Sequence, residues 1–160
     1  MDQSEELSLW LANGWLRASG DQIQGLLVED LQAQVAQGTP LSLAVAALKK
    51  PERRAGDFGM EIAGTLLAPV VVELLKDFWS GYLKKLGESA GGAVAEATTS
   101  RAKAWFLSLL HKKEDRSALT ELEKKVNQLA DHKKLSRKEA TRLLEALGNP
   151  ALAKELSQRK

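Results

Sequence analysis

Apolar and polar positions alternate with a period near four along most of the chain, and the longest such pattern runs from Asp57 to Leu86. Residues i and i+4 share one face of a helix. One row at that spacing reads Phe58, Ile62, Leu66, Val70, Leu74, Phe78, Tyr82, Leu86, and the adjacent row reads Ala63, Leu67, Val71, Leu75, Trp79, Leu83. A third row, Met60, Gly64, Ala68, Val72, turns polar at Lys76, Ser80 and Lys84, while the fourth carries Glu61, Thr65, Pro69, Glu73, Asp77, Gly81 and Lys85. The pattern predicts a central helix, deeply buried in its first half and half-exposed in its second. Asp57 suits its N-cap, Lys84 and Lys85 its last turn, and Gly87 its C′ position. Pro69 removes one backbone donor and leaves the Thr65 carbonyl without its partner, which predicts a kink.

The remaining pattern is also helical. A first helix is expected over 1–20, with Leu7, Trp10, Leu11, Trp15 and Ala18 on one stripe and an interruption at Asn13-Gly14, a pair that favours turns. A second follows a capping-box candidate at Ser19 and Gln22. It places Ile23, Leu26, Leu27, Leu31 and Val35 inside, and Gln22, Gln24, Gln32, Gln34 and Gln37 outside. Gly38 ends it. Thr39-Pro40 opens a short third helix, Leu41–Leu48, apolar nearly all round and so expected to be buried. The segment 51–56 (Pro-Glu-Arg-Arg-Ala-Gly) reads as a linker. Gly87–His111 is the expected hairpin partner of the central helix, with small residues first and Trp105, Phe106, Leu107, Leu109 and Leu110 later. Gly87, Gly91 and Ala95 recur every four residues, a spacing that lets two helix backbones approach closely. After the charged run 112–116, Leu119, Leu122, Val126 and Leu129 form a narrow stripe. Ser136 with Glu139 makes a capping box before Leu143, Leu144 and Leu147, and Gly148-Asn149-Pro150 breaks the chain before a last short helix.

These elements define an all-α helical bundle, organised around a long, kinked central helix and carrying a peripheral C-terminal helical hairpin. Three units are expected, an N-terminal three-helix unit over 1–50, an apolar hairpin over 57–111 and charged C-terminal helices over 117–160, able to pack as one compact domain. Composition agrees: 160 residues, 44% apolar, with no cysteine and hence no disulfide. The acidic start Met-Asp-Gln-Ser-Glu-Glu lacks the basic and apolar regions of a secretory signal, so a cytoplasmic location is expected, with membrane association as a further option. The uncharged run Ile62–Val72 spans roughly 16 Å as a helix, against a bilayer core of about 30 Å, which argues against a single span.

The net charge of +2 hides an asymmetry. Residues 1–80 carry 6 Lys/Arg against 11 Asp/Glu, and residues 81–160 carry 17 against 10. An acidic front and a basic back suit self-association, or a basic face for lipid or nucleic acid. Chemistry is not indicated. His111 and His132 each lie among lysines with no second ligand at i+3 or i+4, so no metal site and no cofactor is expected. Asp57-Phe58-Gly59 spells the magnesium triplet of protein kinases, but the glycine-rich loop and catalytic-loop signature are missing. An enzyme is therefore not expected.

Three functional readings follow. The favoured one is a non-enzymatic interaction protein that assembles with itself, as a homo-oligomer, or with a protein partner. The alternative is a membrane-active, pore-forming or permeabilising protein using the 57–111 hairpin. Its candidate residues are Leu66, Leu67, Val70, Val71, Phe78, Trp79, Gly87, Gly91, Ala95, Trp105 and Phe106, flanked by the basic pairs Arg53-Arg54, Lys84-Lys85 and Lys112-Lys113. In outline that hairpin resembles the helical effector modules of bacterial defence systems. The third is nucleic-acid binding through Lys112, Lys113, Lys133, Lys134, Arg137 and Lys138, an unlikely reading because residues 112–160 hold no aromatic side chain on which a base could stack. The start Leu135-Ser136-x-x-Glu139 resembles that of two-helix C-terminal modules of bacterial proteins, and it implies no more than helix grammar.

Overall fold

The computed structural model describes residues 3–48, 67–89, 99–111, 117–132 and 135–158, the side chains of 84–89 excepted. Among these residues all regular structure is helical: α1 (Gln3–Ala18), α2 (Gln22–Ala36), α3 (Leu41–Leu48), α4 (Leu67–Ser89), α5 (Thr99–His111), α6 (Ser117–Asp131), α7 (Arg137–Leu147) and α8 (Pro150–Ser157). They form the expected all-α bundle.

Helix α1 is its most enclosed member. Every residue from Leu7 to Leu16 is buried, and α2, α4, α5, α7 and α8 all pack on it. A helix apolar on every side is stable only when surrounded. Trp10 and Trp15, at 3% and 0% exposed, are core anchors. The interruption expected at Asn13-Gly14 does not occur. The pair is instead where α8 closes on α1: a Cβ built on Gly14 would lie 2.5 Å from Leu156 Cδ2 and 3.1 Å from its Cγ. Asn13 is buried, and its Oδ1 accepts a hydrogen bond from Arg17 Nε one turn later at 2.7 Å.

Gly20, in the left-handed region at φ 95°, turns the chain out of α1. That turn moves the next cap. Asp21, not Ser19, is the N-cap of α2 and accepts from the Gln24 amide at 3.1 Å, while the Ser19 hydroxyl donates back to the Leu16 carbonyl. Helix α2 is also rotated from the expected face. Gln24, Leu27, Val28 and Leu31 point inward, and Ile23 and Leu26 point outward. Gln24 is buried because its Oε1 accepts the Ala68 amide at 2.8 Å, supplying a partner to the first turn of α4. Arg17 crosses over Gly25, where a side chain would collide with its Cγ at 2.7 Å, to reach Gln22 Oε1 and Glu29 Oε1, each at 2.8 Å. Helix α3 buries Leu41, Ala44, Val45 and Leu48 but not Leu43. It lies on α2 and α4 through one side only, so the all-round burial expected of it is not met.

Helix α4 follows the expected rows. Leu67, Ala68, Val71, Val72, Leu74, Leu75, Phe78 and Trp79 are buried, and Glu73, Asp77 and Ser80 are exposed. Tyr82 and Leu83 are half-buried, matching the looser second half. Pro69 is the third described residue of α4, a first-turn position where a missing N–H breaks no intrahelical bond. The kink expected there therefore finds no support within the described helix, and residues 57–66 and the Thr65 carbonyl lie outside the described residues. Helices α4 and α5 meet through rings: Phe78–Phe106 at 6.5 Å, Trp79–Phe106 and Trp79–Trp105 at 5.9 Å, and Tyr82–Trp105 at 5.4 Å between centroids.

The C-terminal hairpin of α6 and α7 buries its stripe, Ala118, Leu119, Leu122, Val126 and Ala130 facing Leu135, Ala140, Leu143, Ala146 and Leu147. The capping box forms as expected, with Ser136 Oγ accepting the Glu139 amide at 3.1 Å and Glu139 Oε1 accepting the Ser136 amide at 3.3 Å. Asn149 caps α8, and Pro150 occupies its first turn. The hairpin is tied to the bundle by the indole of Trp15, whose Nε1 donates to the Leu143 carbonyl at 2.9 Å, and by Leu152 and Leu156, which are buried on α8.

Two glycines allow a paired test. Leu156 is 1% exposed and has no room to swing aside, so Gly14→Val is expected to lower the unfolding free energy by about 1–3 kcal/mol through overpacking. At Gly81 a Cβ meets nothing within 4 Å, and Gly81→Ala is expected to stabilise by about 0.5–1 kcal/mol through helix propensity. Urea denaturation followed by far-UV circular dichroism measures both.

Candidate interaction surface

The residues singled out on the apolar hairpin divide by burial. Leu67, Val71, Phe78, Trp79 and Phe106 lie in the core, between 0% and 7% exposed. Val70 and Trp105 are half-buried at its edge. Gly87 falls in the last turns of α4, and Leu66, Gly91 and Ala95 lie outside the described residues. The aromatic members form one cluster, joined to α1 by the edge-on Trp10–Phe106 pair at 6.3 Å. Lys103 Nζ sits 5.6 Å above the Trp10 ring and 4.0 Å from Glu6 Oε1, bridging α5 to α1.

The basic candidates are only partly brought together. Arg137 and Lys138 are exposed at the start of α7, and Arg137 Nη2 bonds Asp131 Oδ1 at 2.7 Å. Lys112, Lys113, Lys133 and Lys134 lie outside the described residues. Arg142, one turn after Lys138, is exposed on the same side.

Among the described residues no three His, Cys, Asp or Glu side chains converge as metal ligands. A cavity of about 140 Å³ lies between α4 and α6, lined by Asp77, Phe78, Gly81, Tyr82, Glu121 and Lys125. It is smaller than the ~300–1,000 Å³ of ordinary small-molecule sites, and two of its three charged residues, Lys125 and Asp77, are already paired with each other. Among the described residues one buried side-chain polar atom stands without a partner, Trp79 Nε1, enclosed by the aromatic cluster.

What the structure exposes instead is apolar. Ile23, Leu26 and Leu43 are 42%, 54% and 63% exposed, and Ile23 and Leu26 stand one turn apart on the outer face of α2. Glu29 and Asp30 continue that face one turn later. The helices α1 to α3 carry five carboxylates, Glu5, Glu6, Asp21, Glu29 and Asp30, and a single base, Arg17. The sequence reading placed Ile23 and Leu26 in the core. The signal that could have found them is numerical: Ile23, Leu26, Leu27, Val28 and Leu31 are more apolar residues than one face of α2 can bury, so two must point away. No family model, curated protein or solved structure matches the chain.

The two fully buried tryptophans of α1 and α4 offer a test of this accounting. Trp15 makes its indole hydrogen bond and Trp79 does not, so Trp15→Phe loses a bond while Trp79→Phe removes an unsatisfied donor. With similar volume lost, Trp15→Phe is expected to destabilise by about 1–2 kcal/mol more than Trp79→Phe in parallel chemical denaturation.

Proposed function

We propose that this protein is a non-enzymatic α-helical interaction protein that docks on a protein surface, its own or a partner's, through the outer face of α2 with the neighbouring α3. The supporting observation is the pair Ile23 and Leu26, held outward on a helix whose other face is fully packed. Folding alone gives no reason to keep them apolar, because a polar residue there would cost the core nothing. A few apolar anchors ringed by polar groups are what a small docking site needs.

The membrane-active reading places different demands on the chain. It requires the α4–α5 hairpin to leave α1 and expose Phe78, Trp79 and Phe106, which the bundle buries. Among the described residues no helix is long and apolar enough to cross a membrane.

Leu26→Asp separates these readings. At a position more than half exposed, the change should leave the unfolding free energy within about 0.5 kcal/mol. A photo-crosslinker at position 26 is expected to give protein adducts in cells, and one at exposed position 128, on α6, to give fewer. Dye release from anionic liposomes by the intact protein, undiminished in Leu26→Asp, would overturn the proposal in favour of membrane activity.

A further inference from the structure

The helices of the bundle are not all held in the same way. Buried hydrogen bonds cross two of the contacts: the Trp15 indole of α1 donates to the Leu143 carbonyl of α7, and Gln24 of α2 accepts the Ala68 amide of α4. Each adds to the cost of separating its two helices. Helix α5 is held by rings. Phe106, fully buried, wedges between Trp10 of α1 and Phe78 and Trp79 of α4, with centroids 6.3, 6.5 and 5.9 Å away. Beside that wedge Trp79 Nε1 is buried without an acceptor among the described residues. Such a donor is penalised for as long as the contact stays closed, and the penalty ends when water reaches it. The aromatic contact therefore contains a contribution that favours its own opening.

The rest of the α5 contact is modest. Of its 13 residues, Ala102, Phe106 and Leu109 are fully buried, while Trp105, Leu107 and Leu110 are half-buried. At its solvent edge Thr99 Oγ1 donates to Glu6 Oε2 at 3.4 Å, and Lys103 Nζ lies 4.0 Å from Glu6 Oε1. Both distances are long for their kind, and both contacts fall on the one carboxylate of α1. Helices α2, α4, α7 and α8 each pack on α1 through contacts of their own, which do not pass through α5.

We infer that α5 is a detachable cover, opening as a unit from α1 and α4 with Glu6 as its latch while the other helices stay packed. Opening uncovers the ring faces of Trp10, Phe78 and Trp79 against which Phe106 rests. They form a latent apolar surface, distinct from the exposed pair on α2. This differs from the whole α4–α5 hairpin leaving α1, because α4 remains in place. A surface of this kind is offered to a partner only in proportion to the open population.

Hydrogen exchange followed by NMR on the full chain tests the cover, with the indole protons assigned from single Trp→Phe variants. The α5 amides between Ala102 and Leu109 and the Trp79 indole proton are expected to share one opening. Both should exchange at least about tenfold faster than the Trp15 indole and the α1 amides, which wait for global unfolding. Glu6→Gln should speed the α5 amides and the Trp79 indole by about 2–5-fold, the range of an exposed ion pair. Val126→Ala, buried in the α6–α7 hairpin, should speed the α1 amides and leave the α5 opening unchanged, because that hairpin stays packed on both sides of it. Exchange of α5 and α1 at one common rate, with Val126→Ala speeding both alike, overturns the cover. So do α5 amides that exchange while the Trp79 indole stays as slow as that of Trp15, since the helix then frays without lifting. An α5 opening that Glu6→Gln leaves unchanged overturns Glu6 as the latch.

Discussion

The enclosure of α1 is the constraint on which the rest depends. A helix buried along every residue from Leu7 to Leu16 has no solvent face of its own, and the other elements are its solvent. Two local devices make the enclosure tight. Gly14 gives up its side chain so that Leu156 can reach the backbone, and the Trp15 indole spends its one donor on the Leu143 carbonyl of α7. Both link the start of the chain to its end. The net worth of the hydrogen bond is only about 1 kcal/mol, but an indole buried without it would be penalised, so the bond fixes register as much as it stabilises.

How much of this was legible in the sequence depended on whether the signal was local. The Ser136–Glu139 box and the Asn149-Pro150 start formed as read, because each is completed by atoms within three residues of itself. The rows of α4 were legible because two of its four faces are unmistakably apolar. Asn13-Gly14 was misread because its turn preference is weak beside the burial of the whole helix, and the reason for the glycine lies at Leu156. Helix α2 was misread by a rotation of less than a turn: Gln24 looked like a surface residue until the Ala68 amide, far along the chain, supplied the partner that lets it be buried. The cap moved from Ser19 to Asp21 because Gly20 adopts a left-handed conformation that composition alone does not specify.

The candidate surface followed the same rule. Phe78, Trp79 and Phe106, which drew attention for their size, lie in the core of the bundle, since the largest aromatic side chains gain most from burial. The residues left outside, Ile23, Leu26 and Leu43, were concealed by being ordinary.

The reliance of α1 on α8 has a consequence for the chain while it is being made. Gly14 leaves the ribosome about 140 residues before Leu156. At roughly 5–20 residues per second, that is on the order of ten to thirty seconds during which a helix bearing two tryptophans has no final partner for its Gly14 face. The packing of α1 is complete only when α8 closes over it, so the centre of the bundle waits on a helix made about 140 residues after Gly14.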